Sequence, residues 1–405
     1  MKKLAALAPF ILIIIIYLSL LLIINRNIFQ KTDAPYYNFL AESFLKKKLN
    51  IIPESLWDLS LYQNKFDLYW GPAPLLLILP VVYLFGRNFS DILYTFSIGL
   101  LNIFIFYAIL HEVIKFFKIH LQRRSKTILL WCFALSSPNL FLSLHGKIWY
   151  TNQIFAVFYL LVFLFFYFRF LNTGKIRHLL LSCIFVNLAW FSRYTLIFYL
   201  GLFAFPIFLN KIYKNKEVVF TMVIAVTSVF LSVFFLYNFF RFGHILETGF
   251  RFQLANPIFV EDIRKGAFLS LGNIPINFYY YFINPFQLSL TKNFFQIDYA
   301  GNSVFMAYPI LFSLYYLTKL KPTAVSSQLI KIILTIAVII IVILLTNVGS
   351  GWIQFGNRYF FDVIPLFFVL IIFSLTKTPV RIQIFLAISG AIINILGVLN
   401  FYNII

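Results

Sequence analysis

Apolar runs long enough to cross a lipid bilayer recur from one end of this chain to the other. Of its 405 residues, 61% are hydrophobic and only 11% are charged, which is more apolar surface than a soluble domain of this length buries. The runs are continuous and do not alternate with polar residues, so they predict membrane-spanning helices and not barrel strands. We therefore expect an all-α polytopic membrane protein in which residues 1–405 form one transmembrane domain, with no soluble C-terminal domain.

The apolar runs predict about eleven spans, each able to cross a hydrocarbon core of ~30 Å with some tilt or compression. The spans lie at roughly 5–25, 91–115, 126–145, 150–170, 177–195, 197–212, 217–238, 304–320, 328–347, 360–377 and 380–401. Two long segments, 26–90 and 239–303, then lie on one side of the membrane.

The run GPAPLLLILPVVYLFGR (71–87) is short for a span and contains Pro72, Pro74 and Pro80. If this run crossed the membrane, the basic clusters further along the chain would face outward. That arrangement contradicts the preference of lysine and arginine for cytoplasmic loops. We interpret the run as a helix lying in the outer interface of the membrane.

The formal net charge of +20 raises the question of nucleic-acid binding. The basic residues stand in short clusters between apolar runs, as the positive-inside rule predicts, so no nucleic-acid partner is expected. These clusters contain Lys115, Lys118, Arg123, Arg124, Lys126, Arg169, Lys175, Arg177, Lys211, Lys214, Lys216, Lys319, Lys321, Lys377 and Arg381. They place the N-terminus in the cytoplasm and both long segments on the outer (periplasmic or extracellular) face of the cell membrane. The first run is too long for a signal-peptide core and no A-x-A site follows it, which predicts an uncleaved anchor.

No metal or cofactor motif occurs in the sequence. Cys132 and Cys183 both lie within predicted spans, so no disulfide framework is expected. A Gly-rich phosphate loop, an HExxH motif and paired CxxC motifs are all absent, and the five histidines are scattered without ligand spacing. We expect no cofactor, and the sequence does not support a divalent metal; we interpret His145 as a structural residue.

The segment TDAPYYNFLAESFLKKK (32–48) follows the first span directly. Its apolar residues recur at helical spacing and Lys46–Lys48 end it, which predicts a short amphipathic helix on the membrane surface. Asp33 stands two residues before Pro35, where an N-cap residue is expected. The alternative is that its carboxylate points into a cavity, and the two roles are compatible.

Further polar residues occur in the parts of the chain that we place on the outer side. They are Glu54, Asp58, Asp67, His145, Lys147, Asn152, Arg193, Arg241, His244, Glu247, Arg251, Arg358 and Asp362. Arginine at membrane depth usually faces a cavity or a partner, and its planar guanidinium binds phosphate well. We favour a functional role for Arg193 and Arg358, whereas snorkelling to lipid headgroups explains Arg241 and Arg251 equally well.

A carboxylate near arginines at the membrane surface is what sugar transfer from a polyprenyl-phosphate carrier requires. The carboxylate removes the proton of the acceptor hydroxyl as that oxygen attacks the anomeric carbon. The arginines stabilise the charge that develops on the departing phosphate. The sequence therefore predicts an outward cavity with a carboxylate from the first loop as general base and arginines suited to a lipid phosphate.

The order of motifs along nearly the whole chain resembles that of the GT-C membrane glycosyltransferases, in particular the bacterial branch related to protein O-mannosyltransferases and lipid A aminoarabinose transferases. The matching stretches are TDAPYYNFLAESFL, LYWGPAPLLLILPVVYLFG, WFSRYT, NFFRFGHILETGF and W-x-x-FGNRYFFDVIPL. The resemblance implies a catalytic Asp in the first outer loop, at Asp33. It also implies transfer, usually with inversion, from a lipid-linked sugar donor to a glycolipid, polysaccharide or protein acceptor.

The same resemblance implies which residues contact substrate. Arg193 and Arg358 occupy places where the carrier phosphate is held, and we assign Asp67, Asn152, Arg241, His244, Glu247 and Tyr359 to substrate binding with them. Two departures stand out: the chain has Asn152 where many relatives carry a second acid, and NKFDLYWGP replaces an EKP-like motif. The first weakens a metal-bridged mechanism, because a divalent ion requires several carboxylates. The second argues against aminoarabinose as the sugar.

Two other classes of function compete with a transferase. A transporter or flippase for a lipid-linked sugar would also use intramembrane arginines, but it predicts internal repeats and midplane polar residues, which are not evident. A membrane scaffold predicts no selective effect of changing Asp33.

Overall fold

A computed structural model describes residues 2–25, 27–208, 216–254, 268–288 and 294–404. The fold is helical, which confirms the predicted class. Its α-helices are α1 (Lys2–Ile24), α2 (Tyr36–Leu45), α3 (Leu75–Phe85), α4 (Asp91–Phe117), α5 (Arg123–Leu135), α6 (Pro138–Ser143), α7 (Ile148–Thr173), α8 (Ile176–Ser192), α9 (Ala204–Phe208), α10 (Lys216–Phe242), α11 (Ile274–Phe278), α12 (Val304–Ala307), α13 (Ala324–Thr346), α14 (Ile364–Ser374) and α15 (Val380–Phe401).

Shorter elements connect these helices. The 3₁₀-helices are Tyr194–Phe203, Phe250–Phe252, Leu271–Asn273, Pro309–Lys319 and Arg358–Asp362, and Tyr279–Ile283 is a π-helix. Two small antiparallel hairpins, not anticipated from the sequence, pair β1 (Ser60–Tyr62) with β2 (Lys65–Asp67), and β3 (Gln287–Leu288) with β4 (Phe295–Gln296). The first hairpin turns at Gln63 and Asn64, both with positive φ, as a tight two-residue turn requires.

Six helices in the described part of the chain are long and apolar enough to cross a membrane: α1 from Leu7, α4, α7, α10, α13 and α15. The other five predicted spans, at 126–145, 177–195, 197–212, 304–320 and 360–377, coincide with shorter or interrupted helices. α8, for example, has 17 residues and a length of about 25 Å. The protein is a multi-pass membrane protein, and the number of spans stays a prediction; residues 209–212 lie outside the described ranges.

The interruptions have local causes. The predicted span 126–145 is two helices, because the backbone leaves the helix at Ser136 and Ser137, and the Ser137 side chain then caps α6 ahead of Pro138. In the predicted span 304–320, Tyr308 precedes Pro309 and has a non-helical backbone conformation. The proline ring disfavours helical φ/ψ angles for the residue before it.

The segment between α1 and α4 is more deeply buried than its pattern suggests. α3 contains 11 residues with Pro80 inside, about 16 Å of helix, which is too short to span. α2 packs against α3 and buries seven of its ten residues within the protein, so it does not present a free apolar face to the membrane surface. Asn38 of α2 holds this arrangement by donating to the carbonyls of Arg87 and Phe89, contacts that helical spacing cannot reveal.

The helix ends divide between two ends of the bundle. At one end, Asn172 and Arg169 of α7 contact Glu112 of α4, so the basic residues next to the end of α4 and the end of α7 lie there. Lys211 and Lys214 lie outside the described residues. The opposite end, called the loop end below, carries residues 27–35, the β1–β2 hairpin, α3, the start of α7 and the 3₁₀-helix Arg358–Asp362. The side of the membrane that each end faces stays a prediction.

A buried polar network joins α1, α4, α5 and α6. The Asn139 side chain donates to the Tyr17 hydroxyl at 3.1 Å and to the Gly99 carbonyl at 3.0 Å, and accepts from Asn102 at 3.1 Å. Tyr17 in turn donates to the Ala134 carbonyl at 2.6 Å. These interhelical hydrogen bonds specify how the four helices pack, because apolar surfaces surrounded by lipid do not by themselves define one arrangement.

Replacing Asn139 with leucine should therefore destabilise the protein by about 2 kcal/mol, since three hydrogen bonds disappear and the Asn102 amide loses its partner. Thermal unfolding of the purified protein in detergent measures the effect. Ser232→Ala, on the exposed face of α10, is the matched control and should leave the midpoint unchanged. An unaltered midpoint for Asn139→Leu would contradict a structural role for the network.

Candidate functional site

Asp33 lies at the loop end and is paired with a lysine. Its two carboxylate oxygen atoms lie 2.9 Å and 3.0 Å from the Lys147 ammonium, just before α7 begins. The Asp33 side chain is 70% exposed and the Lys147 side chain 39%. Pro35 is the residue that precedes α2, and no side chain caps that helix, so the N-cap prediction for Asp33 is wrong. The carboxylate is directed across to Lys147 instead.

The loop that carries Asp33 is anchored by Asp91, the first residue of α4. Asp91 is fully buried and accepts from the Thr32 backbone amide at 2.8 Å and from the Thr32 hydroxyl at 2.5 Å. Gly146 packs directly against Asp91: an added Cβ would approach the Asp91 carboxyl carbon to 2.8 Å. Asp91 therefore fixes the position of its neighbour Asp33. The sequence analysis missed it, although an acidic residue after Ser90 at a helix start is a recognisable signal.

Asp58 is a second carboxylate at the loop end. It accepts hydrogen bonds from the Trp149 indole at 2.6 Å and from the Gln253 amide at 2.8 Å. Gln253 also donates to the Tyr69 hydroxyl at 2.7 Å. Burial raises the pKa of Asp58, and the two donated hydrogen bonds work in the opposite direction. Both oxygen atoms of Asp58 are thus engaged in joining the first loop to α7 and to the segment after α10.

Arg358 is a buried cation whose partners in the structure are neutral. Its side chain donates to the Gly351 carbonyl at 2.6 and 3.2 Å and to the Trp149 carbonyl at 3.3 Å. The guanidinium lies over the rings of Tyr359, at 4.7 Å, and Tyr150, at 5.5 Å. Among the described residues, no carboxylate lies within 4.0 Å of its nitrogen atoms. Asp58 supplies only longer-range attraction. A buried guanidinium without a directly bonded counterion is costly, so this position is suited to an anionic ligand.

Arg193 is in a different electrostatic situation. It forms a bidentate ion pair with the fully buried Asp362, with nitrogen–oxygen distances of 2.8 and 2.9 Å. Thr195 donates to the same carboxylate at 2.6 Å. The Tyr359 ring lies 5.0 Å from the Arg193 guanidinium and 4.7 Å from that of Arg358, so it contacts both arginines. Asp362 neutralises Arg193, and its predicted contact with a phosphate stays a prediction.

Asn152 is completely buried and connects several elements. Its side chain donates to the Tyr37 hydroxyl at 2.6 Å and to the Ser192 carbonyl at 3.1 Å. Tyr37 donates onward to the Gly71 carbonyl at 2.8 Å. In this structure Asn152 ties α7 to α2, to the start of α3 and to the end of α8; its predicted role in substrate binding stays a prediction.

The other four predicted site residues form a second group around the end of α10. Arg241 donates hydrogen bonds to the Leu68 carbonyl and to the Asn238 side chain. Its guanidinium also attracts the nearby Asp67 carboxylate electrostatically. His244 and Glu247 are in the turn that follows, where each accepts from a nearby backbone amide. Asp33, Asn152, Arg193, Arg358 and Tyr359 gather around the start of α7 instead. The structure thus divides the predicted site residues into two groups.

In the described ranges, no group of three or more His, Cys, Asp or Glu side chains is arranged to hold a metal ion. Asp33 is already paired with the Lys147 ammonium, and both oxygen atoms of Asp58 accept from protein donors. The donor set around Asp33 does not fit a divalent cation, which requires several oxygen ligands.

The chain shares its fold with solved structures of an archaeal oligosaccharyltransferase and of ArnT. The apo oligosaccharyltransferase of Archaeoglobus fulgidus matches it with a TM-score of 0.58 and 16% identity, over 98% of this chain and 56% of its own. AglB from Archaeoglobus fulgidus, in complex with an inhibitory peptide and a dolichol-phosphate, gives 0.56 and 15% over 99% and 56%. ArnT from Cupriavidus metallidurans bound to undecaprenyl phosphate gives 0.52 and 12% over 92% and 61%.

These similarities concern the fold, since every identity is below one residue in five. The chain spans a little more than half the length of the solved structures it matches. No protein-family model matches the sequence, and no curated protein sequence matches it. Substrates and chemistry for this chain must therefore be argued from its own residues.

The raised pKa of Asp67 predicts that the stability of the protein depends on pH. Burial raises its pKa to about 6, and the nearby Arg241 lowers it only in part, whereas an unfolded chain has a pKa of about 3.9 for this group. Between these two pKa values, the folded state binds one more proton at Asp67 than the unfolded state does. Protonated Asp67 therefore makes its full contribution to the free energy of unfolding below pH ~4, and this contribution is lost as the pH rises through ~6. The loss amounts to about 2–3 kcal/mol at neutral pH.

Asp67→Asn should therefore remove this pH-dependent component. Unfolding midpoints in detergent between pH 4 and pH 7.5 should decline less for the variant than for the wild type. Glu54→Gln is the control, because Glu54 is an exposed carboxylate of the same loop. Parallel midpoint curves for wild type and Asp67→Asn would contradict the assignment.

Proposed function

We propose that this protein is an integral membrane glycosyltransferase that moves a sugar from a polyprenyl-phosphate-linked donor to an acceptor at the outer membrane face. The observation that carries the proposal is Arg358, a buried guanidinium with only neutral partners beside the aromatic and acidic side chains of the loop end. The match to GT-C folds over more than nine-tenths of the chain supports the same class. Solved structures with this fold hold undecaprenyl phosphate or dolichol-phosphate.

In the proposed reaction, the Asp33 carboxylate takes the proton from an acceptor hydroxyl. The oxygen attacks the anomeric carbon of the donor sugar from the face opposite the phosphate, and the bond from that carbon to the phosphate oxygen breaks with its electron pair remaining on the phosphate. The products are the glycosylated acceptor and the polyprenyl phosphate, with the proton on Asp33. These reaction steps invert the configuration at the anomeric carbon. The exposed Asp33 side chain is accessible to an acceptor.

Arg358 is the proposed phosphate contact. An incoming phosphate would supply the counterion that its guanidinium lacks among the described residues. As the bond to the sugar breaks, negative charge grows on the phosphate, and a fixed buried cation stabilises that charge more than it stabilises the substrate. The Tyr359 ring lies 4.7 Å from the Arg358 guanidinium and packs beside the proposed phosphate position, while Arg193 is neutralised by Asp362.

Lys147 is a positioning residue in this mechanism. Its ammonium holds the Asp33 carboxylate in one orientation, and Asp33 must share or leave that contact to reach an acceptor hydroxyl. An exposed ion pair contributes little stability, so this exchange costs little.

The outer face is proposed from the charge distribution. Arg169, in one of the predicted cytoplasmic clusters, lies near the end of α7, whereas Asp33 pairs with Lys147 at its start, which supports this orientation under the positive-inside rule. The site is then open to the outer leaflet, and lipid-linked donors reach it from the bilayer.

Asp33→Asn should abolish sugar transfer, because the amide keeps the size of the side chain but cannot accept the acceptor proton. Purified protein is incubated with a panel of polyprenyl-phosphate sugars and candidate acceptors, and donor consumption is followed by mass spectrometry. A loss of at least 100-fold is expected, as for removal of a general base. Glu54→Gln is the control: its carboxylate also pairs with a lysine, Lys31, in the same loop.

Near wild-type turnover by Asp33→Asn would remove this residue from the role of base. Translocation of the lipid-linked sugar across proteoliposomes without any change in its mass would identify a transporter instead.

We also propose that the reaction is independent of divalent metal, because the acids near Asp33 in the described part of the chain do not form a ligand set. Incubation with a chelator should leave the turnover rate unchanged. Loss of activity with chelator, and its recovery on addition of a divalent ion, would overturn this part of the proposal.

A further inference from the structure

A cavity of about 520 Å³ opens beside the phosphate contact. Its walls come from the β3–β4 region and from the turn that precedes the 3₁₀-helix Arg358–Asp362, and its lining is Tyr280, Gln287, Ile297, Asp298, Tyr299, Ala300, Trp352 and Ile353. The proposed mechanism uses none of these residues. The volume is within the range of small-molecule sites.

Aromatic and polar groups alternate around this cavity. Tyr299 and Trp352 are 44% and 47% exposed, so both rings are accessible at the cavity. The Asp298 carboxylate accepts from the Asn284 side chain at 3.0 Å and from the Ala300 amide at 2.8 Å, one donor on each oxygen atom. Because a carboxylate has about four acceptor sites, Asp298 retains acceptor capacity. Burial and the Asp298 charge raise the pKa of Tyr280, which places that phenol near the carboxylate.

The wall of the cavity is joined to the proposed catalytic groups by direct hydrogen bonds. The Ile353 carbonyl accepts from the Tyr150 hydroxyl at 2.8 Å, and Arg358 lies over the Tyr150 ring. The Gly351 carbonyl accepts from Arg358 itself at 2.6 Å. A ligand in the cavity is therefore held next to the groups that would position the phosphate.

The backbone of this wall is strained. Trp352 and Ile353 both have φ of +47°, a conformation that is rare for bulky and β-branched residues. Gln354 holds the turn by donating to the Ala300 carbonyl at 3.0 Å. Strain of this kind persists where the surrounding structure enforces it, and it is concentrated at ligand sites. Here it presents the Trp352 side chain at the cavity.

We propose that this cavity is the acceptor subsite and that it binds a carbohydrate, so that the acceptor hydroxyl belongs to a sugar. Exposed aromatic faces pack against the C–H faces of a pyranose ring, while Asp298 and Gln287 accept and donate hydrogen bonds to its hydroxyl groups. A purely apolar acceptor would leave the remaining acceptor capacity of Asp298 unused, and the Asp298 charge would repel an acidic acceptor. This inference rests on the proposed function.

Direct binding measurements test the subsite without any donor. The full-length protein in detergent is titrated with neutral hexose and N-acetylhexosamine oligosaccharides, and binding is followed by tryptophan fluorescence and by saturation-transfer NMR. Trp352→Ala should weaken the apparent Kd by about tenfold or more, and Gln287→Ala should weaken it by a smaller factor. Trp57→Ala, an exposed tryptophan outside the lining, is the matched control and should bind like the wild type.

The outcomes separate this inference from the proposed function. Saccharide binding that depends on Trp352 supports the subsite, even if no donor is ever consumed. If the protein consumes a polyprenyl-phosphate sugar with a peptide acceptor and binds no saccharide at millimolar concentration, the glycosyltransferase proposal stands and the carbohydrate subsite is overturned. Saccharide binding unaffected by Trp352→Ala and Gln287→Ala also overturns the location proposed here.

Discussion

A polar group inside a membrane protein must find its partner within the protein, and at the loop end the first turns of α7 supply most of these partners. Each side chain reaches a different residue: Lys147 pairs with Asp33, Trp149 with Asp58, Tyr150 with the Ile353 carbonyl, Thr151 with Thr95, Asn152 with Tyr37, and Gln153 with the Arg358 carbonyl. One rigid helix therefore fixes the relative positions of the first loop, of α2 and α4, and of the turn before α14. Sites held by a helix in this way keep the geometry that catalysis requires.

The three arginines of the predicted site show how differently one residue type can be used. Arg193 is neutralised by the buried Asp362, and removing either partner alone would leave an uncompensated charge. Arg241 stacks on the Tyr237 ring at 3.8 Å and shares only longer-range attraction with Asp67. Arg358 has carbonyl groups and rings as partners. The sequence did not distinguish these three charge environments, because they depend on which carboxylate, if any, lies close to each guanidinium in the folded protein.

The sequence was sufficient for the fold class and for the loop end at which the polar residues gather, because apolar length and basic clusters are local signals. The sequence was insufficient to predict which residues are paired by hydrogen bonds and ion pairs. Asp58 contacts Trp149 and Gln253, which are far away along the chain, and α2 is buried by contacts to residues that follow α3. The N-cap prediction for Asp33 failed for the same reason: local spacing allowed it, and an ion pair with the distant Lys147 displaced it.

The proposed donor and acceptor sites share one short segment of backbone. Arg358 holds the Gly351 carbonyl, Tyr150 holds the Ile353 carbonyl, and Trp352 lies between these two anchored residues. A phosphate that draws the Arg358 guanidinium toward itself loosens its bond to Gly351, and the strained turn that presents Trp352 must respond. Coupling of this kind is reciprocal, so an acceptor that fixes Trp352 also changes the affinity for the phosphate. On this argument the strain at Trp352 and Ile353 lets binding of the lipid-linked donor adjust the acceptor subsite before sugar is transferred.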